Sequence, residues 1–166
     1  MTDNEKTLFE QAVEEYSDVV TGLCLIRLGN RQDAEDCYQN VFLKLWKNSA
    51  MLEKDAEHLK AWLIRVTLNE CKNCFRFRFR HKTEALEFIN AYYEDGHERL
   101  VMERVMSLPA IYREAIYLHC FAGYSVSELA GLLNCKENTV KSRLRRGREL
   151  LKDLLPEEPS KREEKL

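Results

Sequence analysis

Apolar residues recur three and four apart along almost the whole of this 166-residue chain, and no β-branched alternating run bounded by turns interrupts them. That periodicity predicts an all-α protein. Phe9, Val13, Tyr16, Val20 and Leu23 form the stripe of a first amphipathic helix, which should end near Gly29-Asn30, where either residue can take the left-handed closing conformation. Ala34, Tyr38, Val41 and Leu45 repeat the pattern in a second helix that runs to about Trp46. Residues Asn48–Glu57 lose the period and read as a loop. A third helix is expected from about Leu59, with Ile64, Leu68, Cys71, Phe75 and Phe79 along one stripe. The run Phe75–Arg80 alternates aromatic and basic residues, a strand signal in isolation, but its continuity with that stripe favours a helix end.

The pattern weakens from Lys82 to about Glu98, and Asp95-Gly96 marks a turn. The expected organisation is therefore two small helical domains, 1–82 and 99–155, joined by a flexible linker at 83–98 and followed by a charged, disordered tail at 156–166. Pro109 suits a helix first turn, Ile111, Ala115 and Leu118 should point inward, and Gly123 should close that helix. Ser125 and Glu128 have capping-box spacing just before Leu129, Leu132 and Leu133. After Asn134-Cys135, Val140, Leu144 and Leu151 resume the period until Pro156 stops it.

The formal charge of −2 argues against a protein that coats nucleic acid by bulk charge, but the average conceals a gradient. Residues 1–40 carry nine acids against three bases. Between Cys71 and Lys82 there are five bases and no acid, and 141–152 holds six bases against Glu149 alone. Two short stretches thus have the charge of a phosphate-binding surface. No segment approaches the roughly 20 apolar residues that cross a bilayer, and the acidic start lacks an apolar signal region, so a cytoplasmic protein without membrane insertion is expected. In a reducing cytoplasm most of the six cysteines should be small buried hydrophobes. Cys71-Lys72-Asn73-Cys74 is the one close pair; such a pair can bind zinc or form a disulfide, yet only His81 is near enough in sequence to help, and no metal or cofactor is expected.

The most specific unit is Ser125–Arg148, a short helix, a tight connection and a longer basic helix, which fits a helix-turn-helix. Small Ala130 sits where two helices approach, Leu129, Leu133, Val140 and Leu144 supply the shared core, and Asn134 falls where the turn needs a residue tolerant of positive φ. Lys141, Ser142, Arg145 and Arg146 should then project outward from the part of the helix that enters a major groove. A solvated basic face in a helical bundle is the plainer reading of the same residues. In the second helix, burial of Ala34, Tyr38, Val41 and Leu45 leaves Asp36, Gln39, Asn40 and Leu43 together on the other side, and an exposed Leu beside hydrogen-bonding groups suits a partner helix. Lys60–Asn69, running into the Phe/Arg stretch, interleaves bases with aromatics as a site for an unstacked strand would, although most of those rings fit the core stripe better.

These motifs together resemble a bacterial RNA polymerase sigma factor of the extracytoplasmic-function branch. The matching stretches are Asp33–Trp46, Ala61–Asn69, Leu108–Ala115 and Thr139–Leu144, in the family's order over roughly residues 8–155. The resemblance implies two helical domains, called region two and region four, and a non-enzymatic subunit that binds core polymerase and directs it to promoters. It implies that Asp36, Gln39, Asn40 and Leu43 dock on the coiled coil of the polymerase β′ subunit, and that the second domain contacts the β flap. Ser49–Glu57 with Asn69 matches the region that captures a flipped base of the −10 element, and Arg76 and Arg80 extend this DNA-binding surface. Lys141, Ser142, Arg145 and Arg146 match the −35 reading helix, with Thr139, Arg143 and Arg148 better placed for phosphates. An anti-sigma partner is a further implication. Where the family often has Asp-Tyr-x-Arg after the Asn of its third helix, this chain has Asn73-Cys74-Phe75-Arg76. The helix-turn-helix alone would equally suit an autonomous repressor or activator, and the Cys71/Cys74 pair a thiol or metal sensor.

Overall fold

The computed structural model describes residues 2–75 and 95–154, and every regular element among them is helical. Helix α1 (Asp3–Leu28) starts on a capping box, in which Thr2 accepts the Glu5 N–H and the Glu5 carboxylate accepts the Thr2 N–H. It closes at Gly29, whose φ of 69° is a left-handed conformation that costs a glycine nothing. Asn30, beside it, has a different task. Its extended backbone starts α2 (Arg31–Lys47), its buried side chain accepting the Asp33 N–H and donating to Asp33 Oδ2 at 2.7 Å.

Residues expected to form a loop before the third helix contain a 3-10 turn (Ser49–Glu53), pinned by buried Leu52, and α3 (Ala56–Phe75) begins three residues before Leu59. Its first three residues are exposed, so apolar periodicity could not reveal them, but Asp55 supplies the start signal by accepting the His58 N–H at 2.9 Å. The alternating Phe/Arg run from Arg76 onward, the linker 83–98 as far as residue 94 and the tail from residue 155 lie outside the described residues.

The second half comprises α4 (Gly96–Ser107), α5 (Ala110–Ile116) with its π-helical extension Tyr117–Phe121, α6 (Val126–Leu132) and α7 (Glu137–Leu154). Pro109 stands at the cap of α5, and Gly123 ends the segment at φ 79°. Ala115 and Leu118 are fully buried, as the spacing predicts, but Ile111 is 49% exposed. It lies in the first turn of α5, and Tyr112, rotated by one position, packs on the core in its place.

Two hydrophobic clusters hold the molecule together, and α1 serves both. Val20 and Cys24 face α2 and α3, packing with Ala34, Cys37, Val41, Leu45, Leu63 and Cys71. Leu23 and Ile26, on another side of α1, join Ile64 and Leu68 of α3 to Met102, Ala115, Leu118, Leu129, Val140 and Leu144 of the second half. The halves pack tightly at Gly22, where any Cβ would lie 2.0 Å from Tyr117 Oη. That hydroxyl donates to Val19 O, Lys60 Nζ donates to Ala122 O at 2.7 Å, and the largely buried Arg27 and Glu114 form an ion pair.

The box at the head of α6 is complete: Ser125 Oγ accepts the Glu128 N–H, and the Ser125 N–H donates to Glu128 Oε2 at 2.7 Å. Hydrogen bonds from the Ser125 side chain and backbone hold the Glu128 carboxyl below its ordinary value. A carboxyl depressed on folding contributes stability above its unfolded pKa and loses it as pH falls through the lowered folded one, so this cap is in place at neutral pH. Ser125→Ala should cost about 1 kcal/mol and lower the Tm by about 3–6 °C, measurable by thermal circular dichroism at pH 7.

Candidate nucleic-acid interface

Helices α6 and α7 form the helix-turn-helix that the spacing predicts. Asn134, at φ 50°, is the one non-glycine residue with positive φ among the described residues, and it stands in the turn as anticipated. Main-chain bonds from Leu133 N–H to Leu129 O at 2.8 Å and from Cys135 N–H to Ala130 O at 3.0 Å fasten the connection. Leu129, Val140 and Leu144 are buried, while Leu133 and Ala130 are partly buried against the same cluster. With that stripe inward, Lys141, Ser142, Arg145 and Arg146 are exposed on α7, and Arg148 joins them. Thr139 and Arg143 are half-buried, at the flanks.

Glu149 modifies this basic face. It accepts from Arg145 at 2.8 Å and from Arg146 at 3.3 Å, spacings of four and three that bring side chains together on a helix. The contact was legible from those spacings but was not among the expected site features. Exposed pairs of this kind are worth little, so both guanidinium groups remain available to a stronger acceptor. The two arginines hold the Glu149 carboxyl below its ordinary value, Arg146 first.

On α2, Asp36, Gln39, Asn40 and Leu43 are all exposed at positions i, i+3, i+4 and i+7, hence on one stripe. Leu43 is 47% exposed. Trp46, three residues further, is 42% exposed while one edge of its ring packs on Phe9 with centroids 5.0 Å apart. It extends the apolar part of this face, and its spacing from Leu43 was the available signal. An ion pair between Lys44 and Glu70 ties α2 to α3.

Asn69 is exposed on α3, and the same side carries exposed Arg65 and Lys72, four residues before and three after. Those two cations belong to the surface by helical spacing although the motif reading did not single them out. The 3-10 turn packs against α1 and α2, and Tyr16 Oη donates to Ala56 O at the start of α3. Arg76 and Arg80 lie outside the described residues. The molecule therefore presents a basic helix face in its second half, and in its first an acidic-to-apolar stripe on one helix and a basic-to-amide stripe on another.

Comparison with known proteins agrees with this arrangement. A model of sigma-70 region 2 matches residues 12–81, and one of sigma-70 region 4 matches residues 98–151. The ECF RNA polymerase sigma factor SigW of Bacillus subtilis is 27% identical over 91% of this chain and 90% of its own length. The RNA polymerase sigma-H factor of Pseudomonas aeruginosa is 28% identical over 89% of this chain and 86% of its own. The ECF sigma factor SigE of Mycolicibacterium smegmatis is 29% identical over 92% of this chain, which spans 63% of that longer protein. Among solved structures, the sigma factor RpoE in complex with the anti-sigma factor NepR from Bartonella quintana shares the fold, with a TM-score of 0.68 at 23% identity, over 88% of this chain and 95% of that one. CnrH in complex with the cytosolic domain of CnrY gives a TM-score of 0.60 at 25% identity, over 88% and 86% of the two chains. With regions 2 and 4 matched in order, one over the helices of the first half and the other over the helix-turn-helix, the chain belongs to the RNA polymerase sigma factors, in their extracytoplasmic-function branch.

Proposed function

We propose a division of labour along this chain in which region two, residues 1–82, docks on core polymerase and captures the opened −10 strand, and region four, residues 99–155, reads the −35 element. The linker ends at Asp95 and not at residue 98 as the sequence suggests, because Asp95 caps α4 and the helix already runs from Gly96; residues 156–166 serve as a charged tail. Asp36, Gln39, Asn40 and Leu43 form the docking face for the β′ coiled coil, and the second half meets the β flap. Asn69, with Arg76 and Arg80 beyond it, holds the non-template strand. Lys141, Ser142, Arg145 and Arg146 read base edges, and Thr139, Arg143 and Arg148 take phosphates. The observation that carries the reading is the basic, outward face of α7 set over a buried Val140–Leu144 stripe, in a chain of this family.

The chain contributes recognition, and the polymerase performs the chemistry. Strand opening draws on binding energy, since bases released from the duplex are trapped by region two while region four holds the flanking DNA. The work is done in the cytoplasm; among the described residues no helix is long and apolar enough to cross a membrane. An anti-sigma partner is part of the proposal, because the two structural relatives named above are each described in complex with a second protein, NepR called an anti-sigma factor. A cleft of about 1030 Å³ between the halves, lined by Tyr16, Glu57, Lys60, Met102 and Phe121 among others, is the place for a segment of such a partner.

Base readers and phosphate binders separate experimentally. Arg146→Ala in the reconstituted holoenzyme should cost about 1–3 kcal/mol on the cognate −35 sequence and much less on a mismatched one, narrowing the preference between them. Arg148→Ala should weaken both sequences alike and make the salt dependence shallower. Competition binding on matched and mismatched promoters measures both, and an equal, uniform loss in the two variants would remove the assignment.

A further inference from the structure

The family reading makes no use of three cysteines that come from three different helices and meet at one point. Cys24 of α1, Cys37 of α2 and Cys71 of α3 are each fully buried, and their sulfur atoms all lie within 4.8 Å of one another, Cys37 Sγ and Cys71 Sγ being 3.6 Å apart. The sequence pair Cys71/Cys74 is not the relevant one. Three residues along a helix turn the side chain away from the trio, leaving Cys74 half-buried and Cys71 facing the bundle axis.

We propose that Cys24, Cys37 and Cys71 form a binding site for one soft monovalent cation, Cu(I), inside the region two helical bundle. Three sulfur donors about 2.3 Å from a metal in a trigonal plane stand about 4.0 Å apart, so the observed triangle needs to move by less than 1 Å to hold one. The donor set consists of thiols alone, which selects soft metals over calcium, magnesium or manganese. Structural zinc takes four ligands. Among the described residues no fourth Cys, His, Asp or Glu joins this group, and full burial leaves no place for the water that completes an open zinc site. Binding releases three protons, one from each thiol as it becomes a ligating thiolate, and involves no change in oxidation state.

The bundle would gain a cross-link between α1, α2 and α3, directly behind the docking stripe, since Cys37 adjoins Asp36. Because the sulfurs are shielded from solvent, the ion enters when the helices part or while the chain folds. The test adds Cu(I) anaerobically to the reduced full-length chain, both folded and during refolding from urea, in competition with a chromophoric Cu(I) chelator. One equivalent should be retained, with three sulfurs at about 2.3 Å by X-ray absorption on the unmodified protein. The Tm should rise by about 5–10 °C at saturation. Cys37→Ala and Cys71→Ala should each weaken retention at least 10-fold, and a variant lacking Cys74, Cys120 and Cys135 should retain Cu(I) as the unmodified chain does. Absence of uptake by either route, coordination by fewer than three sulfurs, retention unchanged in Cys37→Ala, or preferential retention of Zn(II) would overturn the proposal. So would a Cys37–Cys71 disulfide that forms in place of metal binding.

Discussion

Leu43→Glu should leave the chain folded and reduce its affinity for core polymerase by about 30-fold or more. The side chain is 47% exposed on α2 and belongs to neither hydrophobic cluster, so its replacement removes no core packing, and surface changes of this kind stay within about 0.5 kcal/mol of stability. Its neighbours on the stripe, Asp36, Gln39 and Asn40, offer hydrogen bonds around an apolar centre. That is the anatomy of an interface in which one buried side chain contributes about 2 kcal/mol or more and polar groups around it exclude water. A carboxylate at the centre both loses the apolar contact and places a charge where a partner surface removes water. Binding to immobilised core polymerase, beside a melting curve, reads the two quantities. Unchanged affinity in a folded variant would show that polymerase docks elsewhere.

Arg27→Met should destabilise the protein by about 3–5 kcal/mol, because it removes one partner of an ion pair that lies between the halves. Arg27 and Glu114 have side-chain exposures of 16% and 9%, and Glu114 belongs to α5 while Arg27 ends α1. Without the guanidinium, a carboxylate remains in the core with no cation to offset its lost hydration. Methionine preserves much of the apolar stem, so the measured loss reports charge more than volume. Adding Glu114→Leu should recover most of the stability, since an apolar pair of similar size often matches or exceeds a buried ion pair. Chemical denaturation of the two single variants and the double variant completes the cycle. If Arg27→Met cost less than 1 kcal/mol, water would already reach this contact, and it could not be what clamps region four to region two.

Much of the fold was legible because helix ends carry local chemistry. The left-handed Gly29, the Ser125/Glu128 box and the positive-φ Asn134 were each readable from residue type and spacing, and each is as expected. The beginning of α3 was missed because Ala56, Glu57 and His58 are exposed and the first buried apolar residue is Leu59, and Ile111 was misplaced because a short helix offers too few turns to fix its phase. The packing of the halves was beyond sequence reasoning. Periodicity marks α1 as apolar over a wide arc, but only the folded chain divides that arc between Val20 and Cys24 on one side and Leu23 and Ile26 on another. In the interface, the exposed stripe on α2 and the basic face of α7 followed directly from what was buried beneath them. Trp46, Arg65 and Lys72 lie in the stretches that carry the motifs but were given no site role, and the Glu149 tether was not anticipated, although three- and four-residue spacing points to each. The thiol trio was invisible for another reason: its members are far apart in the chain, while the conspicuous Cys71/Cys74 pair turns to different surroundings.

The charge gradient also finds its place. Acidic residues gather in α1 and at the start of α2, and bases gather on α7. A near-neutral total then suits a factor that engages promoters when polymerase presents both surfaces together. Run-off transcription with purified core polymerase, a library of genomic fragments and this chain tests that claim most directly. Discrete start sites should appear only when the chain is added, share elements near −35 and −10, and vanish with Leu43→Glu. Start sites that do not depend on the chain, together with tight duplex binding by the isolated chain, would contradict the account.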